Sequence, residues 1–399
     1  MLNYLTAGES HGPQLTAILD GLPAGLKIDL DRLNFQLARR QKGYGRGGRM
    51  KIEQDRAQIV SGVRNGVTLG SPISIVIQNK DWENWTRIMD PIAPIADDLN
   101  LKEQRLAHET TFPRPGHADF PGAVKYNQTD MRNVLERASA RETAARTAIG
   151  ALARQLLERF DIQIASHVVR IGEVELPDGY DISDLTTLMN ITEESEVRCL
   201  DRETEEQMIE AIRAAKKNRD SLGGVVELIV RRLPVGLGGY SQWSRRLDGR
   251  LASVLMSVHS VKGVEVGLGF RSSALRGSEV HDEIFYKKGS SASKKDLYRK
   301  TNRAGGLEGG MTNGEDLILR VGAKPISTLN KPLKTVDMVT KKSAEAMVER
   351  TDNCVVPALG VVCEAVVSLV LADSFLEKFG ADNMMEIERA YQAYLNTEI

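Results

Sequence analysis

The run from Cys354 to Ala372 constrains the fold more than any other part of this chain. It is almost wholly apolar and about as long as a bilayer crossing requires. Pro357 and Gly360 near its start, and Glu364 and Ser368 inside it, argue against a lipid-facing span. Proline suits a first helical turn, and a helix apolar on most faces belongs where protein covers all of it. The stretch therefore predicts a helix over 357–379 at the centre of a large soluble core. Hydrophobic residues are 41% of the 399, which can cover such a helix without lipid.

Val- and Ile-rich runs predict strands at 15–19, 58–63, 73–77, 162–171, 225–231, 264–270 and 317–321. Helical spacing falls at 31–40, 140–160, 205–218, 245–258 and 384–396. In the second of these, Ala144, Ala145, Ala148, Ile149, Leu152 and Leu156 form one stripe, and Ser139-x-x-Glu142 fits a capping box. Two polar stretches, 178–206 and 281–303, read as surface excursions. The second carries Gly289-Ser290-Ser291-Ala292-Ser293-Lys294-Lys295, a composition expected to be mobile. An internal echo stands out. Leu15 to Leu26 resembles Val226 to Leu237, and Gly66 to Ile75 resembles Gly310 to Leu319, in the same order. The two matches together predict one pseudo-symmetric body, a single domain over 1–399.

Charge and cysteine content narrow the functional class. The 53 Lys+Arg against 54 Asp+Glu leave a net charge of -1, which excludes a globally basic nucleic-acid wrapper. Cys199, Cys354 and Cys363 are too scattered for a disulfide framework, and no Cys or His spacing suggests a metal site. The first residues lack the charged and apolar regions of a secretory signal. A reduced, cytoplasmic protein is expected, with no membrane partner.

Against that balance, Arg39 to Lys51 holds six cations and four glycines with no acid. Glycines let a backbone approach a ligand closely, and guanidinium forks match phosphate and carboxylate oxygens. Gly43-x-Gly45-x-x-Gly48 follows a helical pattern, not a strand, so it is not a dinucleotide fingerprint. A small anionic ligand and a bland basic loop remain equal readings of this run alone. An RNA-contacting loop would want more aromatics than Tyr44. Other fragments add chemistry. Gly8-Glu9-Ser10-His11-Gly12 sets a hydroxyl and an imidazole on a turn before a strand. Arg114-Pro115-Gly116-His117-Ala118-Asp119 sets a second imidazole two residues from a carboxylate. Histidine holds or releases a proton near neutral pH. Arg137 and Arg141 flank a helix start, where N–H groups favour an anion. Lys324-Pro325-Ile326-Ser327-Thr328 offers a cation and two hydroxyls after a strand. Asp352 is open to two readings, a proton acceptor or a surface partner of Arg350. Many Arg, two His and no metal cluster suit proton-assisted loss of phosphate from a small acid. A nucleic-acid or anion binding module without catalysis is the rival, and it leaves the paired His turns unexplained.

Five fragments in order extend this reading: Gly8 to Gly12, Arg114 to Asp119, Arg137 to Thr143, Gly309-Gly310-Met311-Thr312-Asn313-Gly314, and Arg350-Thr351-Asp352. Together they resemble the chorismate synthase family over almost the whole chain. The resemblance implies an α+β fold, a β-α-β sandwich with a helical layer between antiparallel sheets, and a homotetramer. It implies conversion of 5-enolpyruvylshikimate 3-phosphate to chorismate and phosphate in aromatic amino-acid biosynthesis. Reduced FMN (FMNH2) is implied as a required cofactor, with no net redox change. His11 would protonate the leaving phosphate, His117 would keep the flavin's proton balance, and Asp352 would assist loss of the C6 proton. FMN contacts would fall on Arg137, Ala138, Ser139, His259, Ser260, Gly309, Lys324, Pro325, Ile326, Ser327, Thr328 and Arg350. At His259-Ser260 the family more often has Asn-Ala or Gln-Ala. Arg40 and Arg46 match positions used for a nicotinamide nucleotide (NADPH), and with Ser10, Arg49 and Arg141 they would also hold the substrate. A flavin-independent phosphate lyase is the nearer rival.

Overall fold

The computed structural model describes residues 2–47, 54–95, 97–100, 103–104, 108–180, 184–286, 297–348 and 352–397. One sheet is built from β1 (Asn3–Ala7), β2 (Gln14–Asp20), β3 (Ala57–Ile59) and β6 (Ile73–Gln78), in the order β1-β2-β6-β3, all antiparallel. Between β3 and β6 lies a small hairpin, β4 (Val63–Arg64) with β5 (Val67–Thr68). The second sheet takes β7 (Gln163–Ile171), β8 (Val174–Glu175), β9 (Gly224–Arg231), β10 (Val261–Val266) and β13 (Leu317–Ala323). Its order is β10-β13-β9-β7-β8, also antiparallel. A hairpin of β11 (Leu307–Glu308) and β12 (Met311–Thr312) precedes β13.

The period-2 pattern explains which face is covered. Leu15, Ala17 and Leu19 on β2 are buried with Ile73, Ile75 and Ile77 on β6. In the second sheet Val226, Leu228 and Val230 are buried with Leu317, Leu319 and Val321. Helices meet both faces: α1 (Leu30–Gln41), α2 (Thr143–Glu158) and α6 (Val356–Phe379). α2 packs on β2 and β6, α6 packs on β7 and β9, and the two helices pack on each other. A Cβ at Gly150 would stand 2.4 Å from the Ala365 carbonyl oxygen, so this crossing needs glycine. α6 is the helix predicted from the apolar run, with Pro357 in its first turn. It is long and apolar enough to cross a membrane, yet 89% of its most apolar window is buried in the protein.

The echoed segments carry the same hydrogen bonds. Thr68 Oγ1 donates to Pro23 O (2.6 Å) and accepts from Leu26 N (2.9 Å). Thr312 Oγ1 donates to Pro234 O (2.6 Å) and accepts from Leu237 N (2.8 Å). The order β1-β2-β6-β3 also matches β7-β9-β13-β10 strand for strand.

Several local expectations change. The strand expected at 58–63 is two pieces, because the chain turns at Ser61 and Gly62 between β3 and β4. That expected at 264–270 starts earlier, at Val261, and gives way to a 3₁₀ turn over Gly269–Ala274. No capping box forms at Ser139. Its hydroxyl caps a 3₁₀ turn, Ala140–Glu142, by accepting from Arg141 N, while the Glu142 carboxylate bonds Thr6 and Arg146. The 178–206 stretch is not only surface. It contains α3 (Leu185–Glu194), whose Leu185 and Leu188 are buried against Ala165 and Ile229. Of the 281–303 stretch, the described parts pair Ile284–Tyr286 with Leu297–Arg299, and the Gly289 to Lys295 segment lies outside the described residues. Three further helices, α4 (Arg202–Lys217), α5 (Leu247–Met256) and α7 (Met384–Asn396), follow the expected spacing.

Arg39 is a correction of a different kind. It was counted among the cations of a ligand-facing run, but its side chain is fully buried and turned into the core. There Glu364 of α6 accepts from Arg39 (2.6 Å), Arg154 (2.7 Å) and Ser166 (2.6 Å).

Candidate active site

The turn after β1 needs glycine at its start. Gly8 has φ +106°, and a Cβ there would lie 2.3 Å from Gln14 O. The turn brings Ser10 and His11 onto Glu136. Ser10 N donates to Glu136 O (3.0 Å), and His11 N donates to Glu136 Oε2 (2.9 Å). His11 Nδ1 lies 2.9 and 3.0 Å from the two Glu136 carboxylate oxygens. The imidazole stacks on Trp85 at 4.2 Å, and Arg132 both covers Trp85 and donates to Glu136 (3.2 Å). Burial opposes ionisation of Glu136, but the His11 and Arg132 contacts outweigh it and hold its pKa below the ordinary value. An ionised Glu136 accepts a hydrogen bond from Nδ1–H, so His11 can exchange a proton with a ligand through Nε2.

A guanidinium cluster adjoins this turn. Arg40, at the end of α1, donates to Thr143 Oγ1 (2.9 Å), Ala140 O (3.0 Å) and Asp55 (3.4 Å). Arg141 donates to Asp55 (2.5 Å) and twice to Asn79 Oδ1 (3.0 and 2.9 Å). The Asn79 amide turns its other side to Gly12 O (2.8 Å) and Glu9 O (3.2 Å), tying the arginines to the His11 turn. Burial and the nearby Arg141 and Arg46 lower Arg40 to about 10, which leaves it charged at neutral pH. Arg46 pairs with Asp352 (2.9 Å), and Asp352 also accepts from Gly47 N. Asp352 thus has Arg46 as a partner. Its anticipated partner Arg350, a candidate cofactor residue, lies outside the described residues, as does Arg49.

The second histidine repeats the construction. His117 Nδ1 meets Asp119 Oδ1 (2.5 Å), and Arg114 holds Asp119 through its backbone N–H (3.0 Å) and Nε (2.8 Å). Burial works against the Asp119 charge, and bonds from His117 and Arg114 more than offset it, keeping its pKa well below the carboxylate range. Arg114 also reaches Thr328 Oγ1 (3.1 Å), and the Lys324 amine bonds Gly116 O. Lys324 N donates to Ser260 O (2.9 Å), which sets His259 beside this loop, and Ser221 Oγ donates to Ile326 O (2.8 Å). Arg137 bonds Thr6 O (2.7 Å), Thr6 Oγ1 (2.8 Å) and Gly8 O (3.2 Å). Ser139 Oγ joins Ser10 Oγ at 3.2 Å. Arg146 joins the two groups, donating to Glu142 (3.0 Å) and to Ser257 Oγ (2.7 Å) two residues before His259, so hydrogen bonds and short chain links connect both histidines, Arg40, Arg141, Ala138, Ser139 and residues 324–328. Gly309 stands apart. It lies in the β11–β12 hairpin, whose neighbour Gly310 O accepts from Leu247 N at the start of α5, while His259 follows the far end of that helix.

A family model for chorismate synthase matches residues 2–376. The chain belongs to the chorismate synthase family. It is 52% identical over 394 residues to the chorismate synthase of Alkaliphilus metalliredigens, covering 99% of each chain. To that of Bacillus subtilis it is 51% identical over 386 residues, covering 97% of this chain and 96% of the relative. A solved structure titled as a crystal structure of chorismate synthase superposes with a TM-score of 0.78 at 40% identity. The match covers 99% of this chain and 97% of that one. Chorismate synthase membership makes the chain an enzyme, a carbon–oxygen lyase acting on phosphates. The residues that motif reading missed are the holders: Asp55, Asn79, Trp85, Arg132 and Glu136. Asp119 alone had a signal, its place two residues after His117.

Proposed function

We propose that this chain catalyses 1,4-anti-elimination of phosphate from 5-enolpyruvylshikimate 3-phosphate to give chorismate, with reduced FMN required and no net redox change. The observation that carries this is the pair of carboxylate-held histidines in one framework with Arg40, Arg46 and Arg141. In the reaction the C3–O bond breaks, phosphate leaves with the electron pair, and a proton leaves C6. His11 Nε2 supplies the proton that the departing phosphate takes up. Arg40, Arg46, Arg49 and Arg141 hold the phosphate and carboxylates through their guanidinium groups, and Ser10 adds a hydroxyl. Arg40 is itself oriented by Thr143 and Asp55. Asp352 assists removal of the C6 proton, and His117 manages the proton beside the cofactor.

The residues suit a flavin mononucleotide. The Lys324 amine and the Ser327 and Thr328 hydroxyls match phosphate and polyol oxygens. His259 Nδ1 and Glu142 Oε2 are buried polar atoms without a hydrogen-bond partner among the described residues. Arg137, Ala138, Ser139, Ser260, Gly309 and Arg350 complete the proposed set. When bound, the reduced flavin supplies electron density to a ring that turns electron-poor as the C3–O bond breaks. The arginines contribute to rate only where they bind the transition state more tightly than the substrate.

The same reading takes the chain as one domain over 1–399, a β-α-β sandwich with two duplicated halves, working as a cytoplasmic homotetramer. The layered packing of α2 and α6 and the repeated Thr68 and Thr312 bonds support the sandwich and the duplication. The test is phosphate and chorismate formation under anaerobic conditions with and without reduced FMN. Turnover only with the reduced flavin supports the reading, and equal turnover without it favours the flavin-independent lyase. Aerobic turnover with NADPH and FMN as sole reductant would show that the chain reduces its own flavin, with Arg40 and Arg46 as the nucleotide contacts.

A further inference from the structure

His259 follows α5 and precedes β10, and its ring faces the 3₁₀ turn at the head of α2. Its Nδ1 lies 4.0 Å from Glu142 Oε2. Both atoms are buried, and among the described residues neither has a hydrogen-bond partner. The other Glu142 oxygen is occupied, accepting from Thr6 Oγ1 (2.7 Å) and Arg146 Nε (3.0 Å). Leaving a carboxylate oxygen and an imidazole nitrogen buried, facing each other and unjoined is costly. A proton on Nδ1 and a small inward movement would join them as a charge-assisted bond. Glu142 is also one bond from the cofactor wall, since Thr6 accepts from Arg137.

We propose that His259 is a proton-accepting contact for the anionic reduced flavin: it takes up a proton as the flavin binds and, as the imidazolium, donates an Nδ1–H hydrogen bond to Glu142. The proposal rests on the flavin reading given above. The charged surroundings explain why the proton waits for the ligand. Burial acts first to keep the imidazole neutral, and Arg146, His117 and Arg137 add to that, with Glu142 alone opposing them. The His259 pKa is accordingly below its ordinary value. The backbone N–H of Lys324 bonds Ser260 O, while its amine bonds Gly116 O. An arriving anion reverses this balance, so the bound-state pKa rises. Binding then takes up a proton at pH values between the two, and affinity falls as pH rises through that window. Neither His117 nor His11 is placed to do this, because each already has its Nδ1 against a carboxylate.

The experiment is an anaerobic titration of the full chain with reduced FMN, read by flavin absorbance, from pH ~6 to pH ~8.5 around the histidine range. His259→Asn and His259→Gln, which keep a polar group without the titration, are run beside the wild type. The expected result is a wild-type to variant affinity ratio that falls about tenfold per pH unit across the window and is flat outside it. A ratio constant with pH, with binding intact, overturns the proposal and leaves the flavin reading standing. No binding of reduced FMN to the wild type at any pH overturns the flavin reading and this proposal with it. Calorimetry of wild type and His259→Gln in two buffers of different ionisation enthalpy gives the proton balance of binding, and the difference between them removes the proton that the flavin itself gives up. A difference of about one proton per flavin is expected near neutral pH, and no difference overturns the proposal.

Discussion

Glu136 grips His11 through both carboxylate oxygens and is gripped in turn by Arg132, so the imidazole has one orientation on Trp85. Glu136 is a positioning residue, and removing its charge should leave substrate binding nearly intact. Glu136→Gln is expected to lower kcat on the order of 10²-fold with KM changed less than a few-fold. Glu136→Asp should recover part of the loss, and a variant with unchanged kcat would take Glu136 out of the proton path. At this scale the sequence is half readable. His11, His117, Arg141 and Asp352 stand in fragments whose turns and charges point to chemistry. Glu136 and Asp55 carry no such mark, because their partners lie 125 and 86 residues away. Arg39 and Arg40 show the limit most plainly. They are neighbours in one basic run, yet the ~100° step between adjacent positions of α1 sends Arg39 to Glu364 and Arg40 to Asp55.

Among the elements, α6 bears most of the architecture. Its apolar run was legible because a helix that long and that apolar has few soluble homes. Its Glu364 looked like an argument against lipid and is in fact the hub of a buried ion cluster. Burial opposes the charge, and Arg39, Arg154 and Arg198 overcome it, bringing the carboxyl to about 2 from an ordinary 4.5. A depressed pKa means that the stabilisation is complete above the ordinary value and drains away as pH falls toward 2. Glu364→Gln should cost ~3–5 kcal/mol, since it leaves several guanidinium groups without their shared anion. Urea unfolding at neutral pH checks this, and the variant should also lose the wild type's acid-dependent change in that range. A cost under ~1 kcal/mol would mean the cluster is not held as described. At the α2–α6 crossing, Gly150→Ala sets a helix-propensity gain of ~1 kcal/mol against a Cβ meeting backbone. The backbone cannot rotate away as a side chain can, so a net loss of ~1–3 kcal/mol is expected in the same unfolding assay.

At the scale of the molecule, two antiparallel sheets share one strand order, and α2 and α6 pack on them and on each other. The two echoed segments were readable as similar strings. That Thr68 and Thr312 each bond a Pro carbonyl was not, because the two bonds span 45 and 78 residues. Thr68→Val and Thr312→Val each strand a buried carbonyl and a buried N–H. Similar losses of ~1–3 kcal/mol are expected, adding in the double variant to within ~0.5 kcal/mol. Strongly unequal losses would count against equivalent roles in the two halves. The long β-strands and helices were predictable from periodicity. The 3₁₀ turn at Ala140 and the α3 packing were not, since both depend on what the rest of the chain brings against them.

The account rests on an imidazole giving its proton to a phosphate held by arginines, and single-turnover phosphate release tests that most directly. Wild type and His11→Ala are mixed anaerobically with reduced FMN and limiting 5-enolpyruvylshikimate 3-phosphate, and phosphate is followed in time. The account predicts release slowed by ~10²-fold or more in the variant, with substrate affinity within a few-fold of wild type. Release at the wild-type rate from His11→Ala would contradict it.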